Sequence, residues 1–502
     1  MARTYADEAE SAPAGRRAAT PRAGGGDLWL VAVALAFTAC EFLFVRVHLG
    51  LGFDESVYVS QVSPRAPAAF FSAPRARGVS YLVAPVVAVT SSTAALRCYL
   101  ALLAGAGLLG ALWVWRRFLP ARRVALAGLL FAGLWITQFY GPQAMPNLWV
   151  ALAALACVGF FLRSASVPHP ARTERGALLG TALTLAAAVQ LRPPDGFWLV
   201  LPLAVAALAV RAWRRAPVFG ALAVGVVAGG AQWVVESYTR YGGVLQRLHT
   251  SGKVEGGFSW SPAFADQLRS LGGRTLCRPC DIPWHHKGVS LWWFALPLLV
   301  VGGVLVARHA RRLPAILLPT LCGASMAVPY LLLIGYAAPR FLLPSYALLA
   351  LPAAECLAWL AGGAGRPRLR PVATGLVVLV VVAHLVVQNV VLTRTATRNR
   401  EAHAGFARIA AALHAAGVTP PCLVTGTNAI PIGLAARCAS GATSGHNANI
   451  TPRDITATAR HRPVAVLVPR GHPRPAYARG WSAHPMPVSR RLTPYTAYVS
   501  PP

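Results

Sequence analysis

The sequence predicts an all-α, polytopic membrane protein with about eleven transmembrane helices and a small C-terminal extracytoplasmic α/β domain. Three observations lead to this fold class. Hydrophobic residues make up 55% of the 502 residues. They occur in runs of roughly 18–25 residues, the length at which a helix crosses a hydrocarbon layer of ~30 Å. Arginine clusters occupy every second connection between these runs, as the positive-inside rule expects of cytoplasmic loops.

The apolar runs define the transmembrane segments. The first follows a charged, Gly/Ala-rich tail and is longer than a signal-peptide core, so we expect it to remain in the protein as a signal anchor. The apolar segment 78–90 is too short to span, and we expect an interfacial or re-entrant helix there. The predicted spans are 28–47, 95–115, 124–140, 146–162, 176–192, 197–210, 217–235, 290–307, 314–337, 341–361 and 371–392.

The net charge of +31 does not indicate a nucleic-acid-binding protein. The positive charge is almost entirely arginine, and it lies between apolar runs rather than in a basic groove with interleaved aromatic residues. The arginine clusters place the even-numbered connections and the N-terminus in the cytoplasm. We therefore predict a multi-pass plasma-membrane protein with three substantial outer segments, 48–94, 236–289 and 393–502.

The last hundred residues have the pattern of a small α/β domain. Residues 401–416 follow helical spacing, 422–425 and 464–468 are predicted strands, and 451–460 is predicted to be a capped helix. Because disulfides persist on the oxidising side of the membrane, Cys422 and Cys438 are candidates to pair. The chain then divides into a disordered cytoplasmic tail, a transmembrane domain and an outer domain, with the limits 1–27, 28–392 and 393–502.

Acidic residues are scarce, sixteen in all, and the pair Asp54-Glu55 lies just outside the first predicted span. A carboxylate beside apolar walls at a membrane surface can serve as a general base. The alternative is an acidic pair that caps the next helix. The segment 52–58 resembles the first outer loop of the GT-C glycosyltransferases, in particular the protein O-mannosyltransferase and aminoarabinose transferase branch. Arg97 near the start of the second span and the aromatic-flanked Arg340 in 336–344 are similar to segments of the same group.

This resemblance implies a function. Its members transfer a monosaccharide, with inversion, from a polyprenyl-phosphate donor to an acceptor hydroxyl at the outer membrane face. By match to the motif, Asp54 is the candidate base, Glu55 is the neighbour that orients it or contacts the acceptor, and Tyr58 is the family's aromatic position. Arg340 and Arg192 are candidates to bind the donor phosphate as charge builds on it. The alternative for both arginines is an interface side chain that extends to lipid headgroups.

One loop departs from the family pattern. Members often carry another acid in the second outer loop, whereas residues 141–147 contain none. Asn147 can hydrogen-bond to a sugar but cannot act as a base. Either Asp54 acts alone or Asp195 supplies the second carboxylate, and a different acceptor or a lost activity is a further option.

The outer segment 236–289 contains a cysteine and histidine motif. Two cysteines, Cys277 and Cys280, and two histidines, His285 and His286, suggest zinc, but they lie close together without a second well-separated pair, which favours a local disulfide. His286 and Lys287 are candidates to face the donor phosphate, and the simpler interpretation is a solvated turn. No cofactor is required by these patterns, no metal ligands are assigned, and a divalent cation is left open.

A membrane transporter or lipid flippase is the alternative function. Transporters often contain repeated halves with broken helices at mid-membrane, and no matched pair of interrupted spans stands out in the sequence. The large segments on one face favour chemistry at the outer surface. The expected partners are the lipid bilayer, a polyprenyl-phosphate sugar donor and an acceptor glycan, lipid or protein of unknown identity, with no nucleic acid.

Overall fold

The computed structural model describes residues 27–165, 172–257, 259–285, 287–445 and 447–501. The predictions for the tail before residue 27 and for His286 lie outside these residues. The helices are α1 Asp27–Cys40, α2 Phe53–Ser60, α3 Gly78–Val89, α4 Thr93–Val114, α5 Ala121–Ala132, α6 Trp135–Tyr140, α7 Pro146–Ala165, α8 Arg172–Leu191, α9 Pro193–Ala209, α10 Ala216–Arg240, α11 Val244–Glu255, α12 Phe264–Ser270, α13 Leu291–His309, α14 Leu313–Val328, α15 Leu343–Ala361, α16 Arg370–Ala415, α17 Ala429–Ala436 and α18 Pro452–Ala459. The strands are β1 Leu423–Gly426, β2 Ala439–Gly441, β3 Val464–Pro469, β4 Ser482–Pro485 and β5 Tyr495–Val499.

The polytopic helical fold is confirmed, whereas the number of about eleven spans is not. Helices α3 and α9, and the apolar part Arg175–Leu191 of α8, are shorter than a full span. The predicted span 124–140 is divided between α5 and α6. In the described part of the chain, eight helical stretches are long and apolar enough to cross a membrane: Asp27–Val45, Thr93–Arg117, Pro146–Ala165, Ala216–Arg240, Lys287–His309, Leu313–Leu333, Pro339–Ala361 and Pro367–Ala415.

Large apolar side chains cover the outside of the helical part. Leu298 on α13 is 75% exposed and Val372 on α16 is 74% exposed. Exposure of such a surface to water is unfavourable in free energy. In a bilayer the same surface contacts hydrocarbon that is equally apolar, so this cost is absent. These exposed faces therefore agree with a protein that is embedded in lipid.

Helices α7 and α15 form the centre of the bundle. In the most apolar 18 residues of Pro146–Ala165 and of Pro339–Ala361, 83% and 89% of the residues, respectively, are buried. The backbones of α13 and α15 approach closely, which contributes to the burial of α15. A Cβ atom on Gly303 of α13 would lie 1.9 Å from the carbonyl oxygen of Pro352 on α15. Both central helices begin next to predicted site residues, α7 with Asn147 and α15 just after Arg340. The best-packed part of the bundle thus supports the candidate site.

The C-terminal module is a five-stranded mixed sheet with the order β2-β1-β3-β5-β4. Strand β1 is parallel to β2 and β3, and β5 is antiparallel to β3 and β4. The predicted strands and the capped helix are confirmed: Thr451 Oγ1 accepts a hydrogen bond from Asp454 N, and the Asp454 carboxylate accepts one from Thr451 N. Helix α16 runs unbroken through the predicted domain limit at 392–393, so the bundle enters the module as a continuous helix.

Both predicted disulfides are confirmed by the structure. Cys277 pairs with Cys280, and Cys422 pairs with Cys438 at a Cα–Cα distance of 4.8 Å. We expect mass spectrometry of the unreduced, denatured and alkylated protein to find the peptides of Cys422 and Cys438 linked. Cys157, which is buried and free, is the internal control and should be alkylated. Alkylation of both Cys422 and Cys438 without reduction would refute the pairing, though not the topology.

Candidate functional site

Five of the predicted site residues line one cavity of about 290 Å³. Asp54 and Tyr58 come from α2, Asn147 from the start of α7, Arg192 from the turn before α9, and Arg340 from the turn before α15. Each lies at or near the end of a helix, where side chains from several elements can converge. Folding therefore brings together residues that lie far apart in the sequence.

Helix α2 determines which acid faces the cavity. Residues four apart share one face of a helix, so Asp54 and Tyr58 point in the same direction. Glu55, the next residue, is rotated by about 100° and points elsewhere. Its carboxylate accepts a hydrogen bond from Gly52 N at 3.0 Å and thereby caps the helix. The sequence left two roles open for the acidic pair, and the structure divides them: Asp54 faces the cavity and Glu55 caps the helix.

Two guanidinium groups hold the Asp54 carboxylate. Arg75 Nη1 and Nη2 each lie 3.0 Å from Oδ1, and Arg340 Nη2 donates to Oδ2 at 3.2 Å. Burial alone would raise the pKa of Asp54, but Arg75 and Arg340 outweigh burial and hold the pKa below its ordinary value. The side chain remains 31% exposed. Asp54 is therefore an ionised, accessible carboxylate that can accept a proton, with a basicity reduced by its partners.

Glu55 is buried against Arg97 and does not line the cavity. Both Arg97 terminal nitrogens bind its carboxylate, and Ala144 N donates to Oε1 at 2.8 Å. Burial raises the pKa of Glu55, and Arg97 together with the backbone donors Gly52 and Ala144 lowers it below its ordinary value. Of the two predicted roles of Glu55, this geometry fits the orientation of Asp54. It does not fit contact with an acceptor, because protein donors surround the carboxylate.

Arg97 ties the segment that precedes α2 to the segment between α6 and α7. Its guanidinium also donates to the carbonyl oxygens of Leu49 at 3.0 Å, Gly50 at 2.8 Å and Pro142 at 2.7 Å. The Arg97 side chain is fully buried. Its many hydrogen bonds compensate the cost of removing the charge from water. The Arg97–Glu55 pair therefore fixes the position of α2 and, through it, the direction of Asp54.

Arg340 is enclosed by protein and is only 11% exposed. Its Nη1 donates to the Thr275 carbonyl oxygen at 2.8 Å and to Tyr140 Oη at 3.3 Å. Its Nε is buried without a hydrogen-bond partner. Because the guanidinium reaches Asp54 at the cavity wall, its placement favours a role in the cavity over an extension toward lipid headgroups.

Arg192 and Asp195 form a pair of which only Arg192 lines the cavity. Arg192 Nε lies 3.3 Å from Asp195 Oδ2, and its guanidinium lies 4.7 Å from the ring centroid of Phe341. Asp195 is 2% exposed and accepts a hydrogen bond from Tyr330 Oη. Asp195 is thus placed to orient Arg192 rather than to supply the reaction with a second carboxylate.

Lys287 lies outside the cavity. It begins the short turn Lys287–Ser290, is exposed, and has its Nζ 5.6 Å from the ring centroid of Trp284. This position agrees with the solvated turn rather than with a phosphate contact. Within the described ranges, no group of three or more His, Cys, Asp and Glu side chains is placed to hold a metal ion.

The sequence reasoning missed six other residues that line the cavity and carry polar side chains: Ser72, Arg75, Glu255, Arg278, Tyr336 and Asn447. Tyr336 lay within the family-like segment 336–344 but was given no role, and Arg75 was given none either. Glu255, whose carboxylate accepts a hydrogen bond from Tyr336 Oη, is one of only sixteen acids in the chain, and that scarcity was a usable signal. Arg278, between the paired cysteines, lies 4.5 Å from the ring centroid of Tyr336. Asn447 reaches the cavity from the C-terminal module and has no sequence signal.

Comparison with solved structures shows that the chain has the GT-C glycosyltransferase fold. ArnT from Cupriavidus metallidurans bound to undecaprenyl phosphate matches with a TM-score of 0.65 and 15% identity, over 95% of this chain and 98% of that chain. Its apo state gives a TM-score of 0.60 and 14% identity, over 94% and 97%. The oligosaccharyltransferase of Archaeoglobus fulgidus in complex with Zn and sulfate gives 0.55 and 13%, over 87% and 67%. No protein-family model matches the sequence, and the search of curated proteins gives no significant match.

Proposed function

We propose that the protein is an inverting glycosyltransferase of the plasma membrane that moves a monosaccharide from a polyprenyl-phosphate donor to an acceptor hydroxyl. The observation that carries the proposal is the cavity in which one accessible carboxylate, Asp54, lies among Arg75, Arg192 and Arg340. Such a site offers a proton acceptor and a binding place for phosphate side by side. The undecaprenyl phosphate bound to ArnT, a protein of the same fold, supports a lipid phosphate as the ligand.

The proposed reaction is a single displacement. Asp54 takes the proton of the acceptor hydroxyl while the hydroxyl oxygen bonds to the anomeric carbon. The bond between that carbon and the phosphate oxygen breaks, and the phosphate leaves on its lipid with the electron pair. Negative charge grows on the phosphate in the transition state, where the preorganised guanidiniums of Arg340 and Arg192 bind it more strongly than in the donor. Attack from the face opposite the phosphate inverts the anomeric configuration.

The charges of the cavity agree with this reaction. Four arginines and two carboxylates line it, which leaves an excess of two positive charges (four minus two). A phosphodiester donor has one negative charge, and a phosphate monoester such as the released polyprenyl phosphate has about −1.5 to −2 at neutral pH. The cavity can therefore bind the donor and neutralise the charge that the reaction adds.

We place the cavity and the C-terminal module on the outer face. The arginine clusters assign the opposite ends of the spans to the cytoplasm. The disulfides Cys277–Cys280 and Cys422–Cys438 lie beside the cavity and in the module, and disulfides are typical of the extracytoplasmic side. Both observations support transfer at the outer surface.

The proposal is tested by adding lipids to the purified full-length protein and measuring thermal stability and sugar release. We expect undecaprenyl phosphate to raise the melting temperature, since a ligand at one hundred times its Kd stabilises by about 2.7 kcal/mol. Undecaprenol, which has the same tail without the phosphate, is the matched control and should stabilise much less. Among undecaprenyl-phosphate hexoses and pentoses, at least one should be hydrolysed slowly. If no lipid phosphate stabilises the protein beyond undecaprenol, the proposal fails.

A further inference from the structure

Two carboxamide side chains at the cavity contain polar atoms without hydrogen-bond partners. Asn147 is completely buried, and neither its Oδ1 nor its Nδ2 has a partner. Asn447 also lines the cavity, and its Oδ1 is buried without a partner. Buried polar atoms in folded proteins are nearly always hydrogen-bonded. Two such side chains in one cavity indicate a ligand that supplies the missing partners.

The two residues come from different parts of the molecule. Asn147 begins the central helix α7, whereas Asn447 belongs to the loop that follows β2 in the C-terminal module. Strands β1, β2 and β3 are parallel, so this loop leaves the sheet at a carboxyl edge, where α/β folds commonly bind ligands. The module is held against the first outer loop, because the ring Nδ1 of His403 lies 2.8 Å from the Gly50 carbonyl oxygen. Asn447 therefore reaches the cavity from a module that contacts the first outer loop.

The chemistry of these side chains selects the ligand group. A phosphate oxygen offers only acceptors at neutral pH, so it cannot satisfy the buried acceptor Oδ1 of either asparagine. A sugar hydroxyl both donates and accepts, and adjacent hydroxyls can satisfy the oxygen and the NH₂ of one carboxamide. Glu255, which accepts a hydrogen bond from Tyr336 at the same cavity, adds a further acceptor. The arginines and the carboxamides thus suit different parts of one substrate.

We propose that Asn147 and Asn447 bind hydroxyl groups of a sugar, so that the C-terminal module contributes a substrate-recognising residue to the site. This inference rests on the proposed function and deepens it, because it assigns sugar recognition to the carboxamides and phosphate binding to the arginines. The hydroxyls belong to the sugar of the donor or to a sugar acceptor, and the two sources are separated by experiment.

The test compares N147A and N447A with wild type and with S444A. Ser444 is exposed in the same loop as Asn447 and does not line the cavity, so S444A is the matched control. The Kd is measured for undecaprenyl phosphate and for the undecaprenyl-phosphate monosaccharide that wild type prefers among hexoses and pentoses. We expect both asparagine variants to bind undecaprenyl phosphate within about twofold of wild type and the glycosylated lipid roughly 5–10-fold more weakly. S444A should bind both lipids as wild type does.

Each outcome supports or overturns the inference. If both lipids bind normally and the KM for a sugar acceptor rises by a similar factor, the hydroxyls are those of the acceptor and the inference stands. Equal weakening of both lipids would assign the asparagines to the phosphate or to folding and overturn it, as would unchanged Kd and KM values. Wild type that binds neither lipid refutes the proposed function instead. Saturation-transfer NMR with free monosaccharides at millimolar concentration then tests the asparagines alone, and equal or absent signals in wild type and variants overturn the inference.

Discussion

Replacing Asp54 with asparagine is expected to lower turnover by roughly 10²-fold or more, the scale on which general-base catalysis contributes. Asparagine keeps the shape and hydrogen-bonding capacity of the side chain and removes the proton acceptor. Donor binding should not weaken, because the cavity loses a negative charge while Arg75 and Arg340 remain. Turnover, donor Kd and melting temperature are the three quantities to measure.

The pH dependence of the rate gives a second readout. Asp54 must be ionised to accept a proton, so the wild-type rate falls as the pH drops through its pKa. Arg75 and Arg340 hold that pKa below the ordinary value of 3.8, and the fall should therefore begin below the usual carboxyl range. The rate that remains in D54N should lack this acidic fall, because no group at that position changes its protonation.

Two matched variants separate catalysis from folding. E55Q removes the charge that pairs with the fully buried Arg97, and breaking a buried ion pair typically costs about 3–5 kcal/mol. We therefore expect a clear loss of thermal stability. The turnover of the folded protein should fall less in E55Q than in D54N. D266N removes an outer-segment carboxylate that pairs with Arg269 outside the cavity, and its turnover should be unchanged. Full activity of D54N would refute the catalytic assignment, and a larger turnover loss in E55Q would move the base to Glu55.

The sequence predicted the helical fold and much of the site because both leave local signals. Apolar runs and arginine clusters indicate the positions of the spans. Asp54 and Arg340 lie at predicted membrane boundaries, where a charged side chain indicates a function. Hydropathy records composition and not backbone continuity, so it could not show that residues 124–140 divide near Gly133 into α5 and α6. For the same reason the end of the last apolar run places a domain limit after residue 392, although α16 continues through it.

The missing site residues had weaker signals. Glu255 had only the scarcity of acids and Asn447 had none, and only tertiary packing brings them to Asp54. Asp195 shows the limit of sequence reasoning from the other side, since a carboxylate near Arg192 in the sequence is as consistent with a buried partner for Arg192 as with catalysis. The sequence shows which residue types are present and how they are spaced. Which of these residues reach the cavity depends on which face of each helix the fold turns toward it.

Replacing Arg340 with alanine is expected to lower kcat/KM by roughly 10²–10³-fold, the loss typical of removing one preorganised donor at a site of developing charge. The donor phosphate is already charged, so KM should rise. The leaving phosphate gains charge in the transition state, so kcat should fall as well. Arg340→Lys should retain part of the activity, because lysine keeps the charge and loses the planar fork that binds two oxygens.

The pH profile of the Arg340 variants distinguishes a cavity residue from a lipid anchor. Because the Arg340 guanidinium lowers the pKa of Asp54, its removal should raise that pKa, and the acidic fall of the residual rate should move to higher pH. Arg340→Lys should show a smaller displacement. R274A, which removes an exposed arginine one residue before the Thr275 that accepts from Arg340, is the control and should leave both kinetics and profile unchanged. Wild-type kinetics and an unmoved profile in R340A would assign Arg340 to the lipid headgroups and leave the donor phosphate to Arg75 and Arg192.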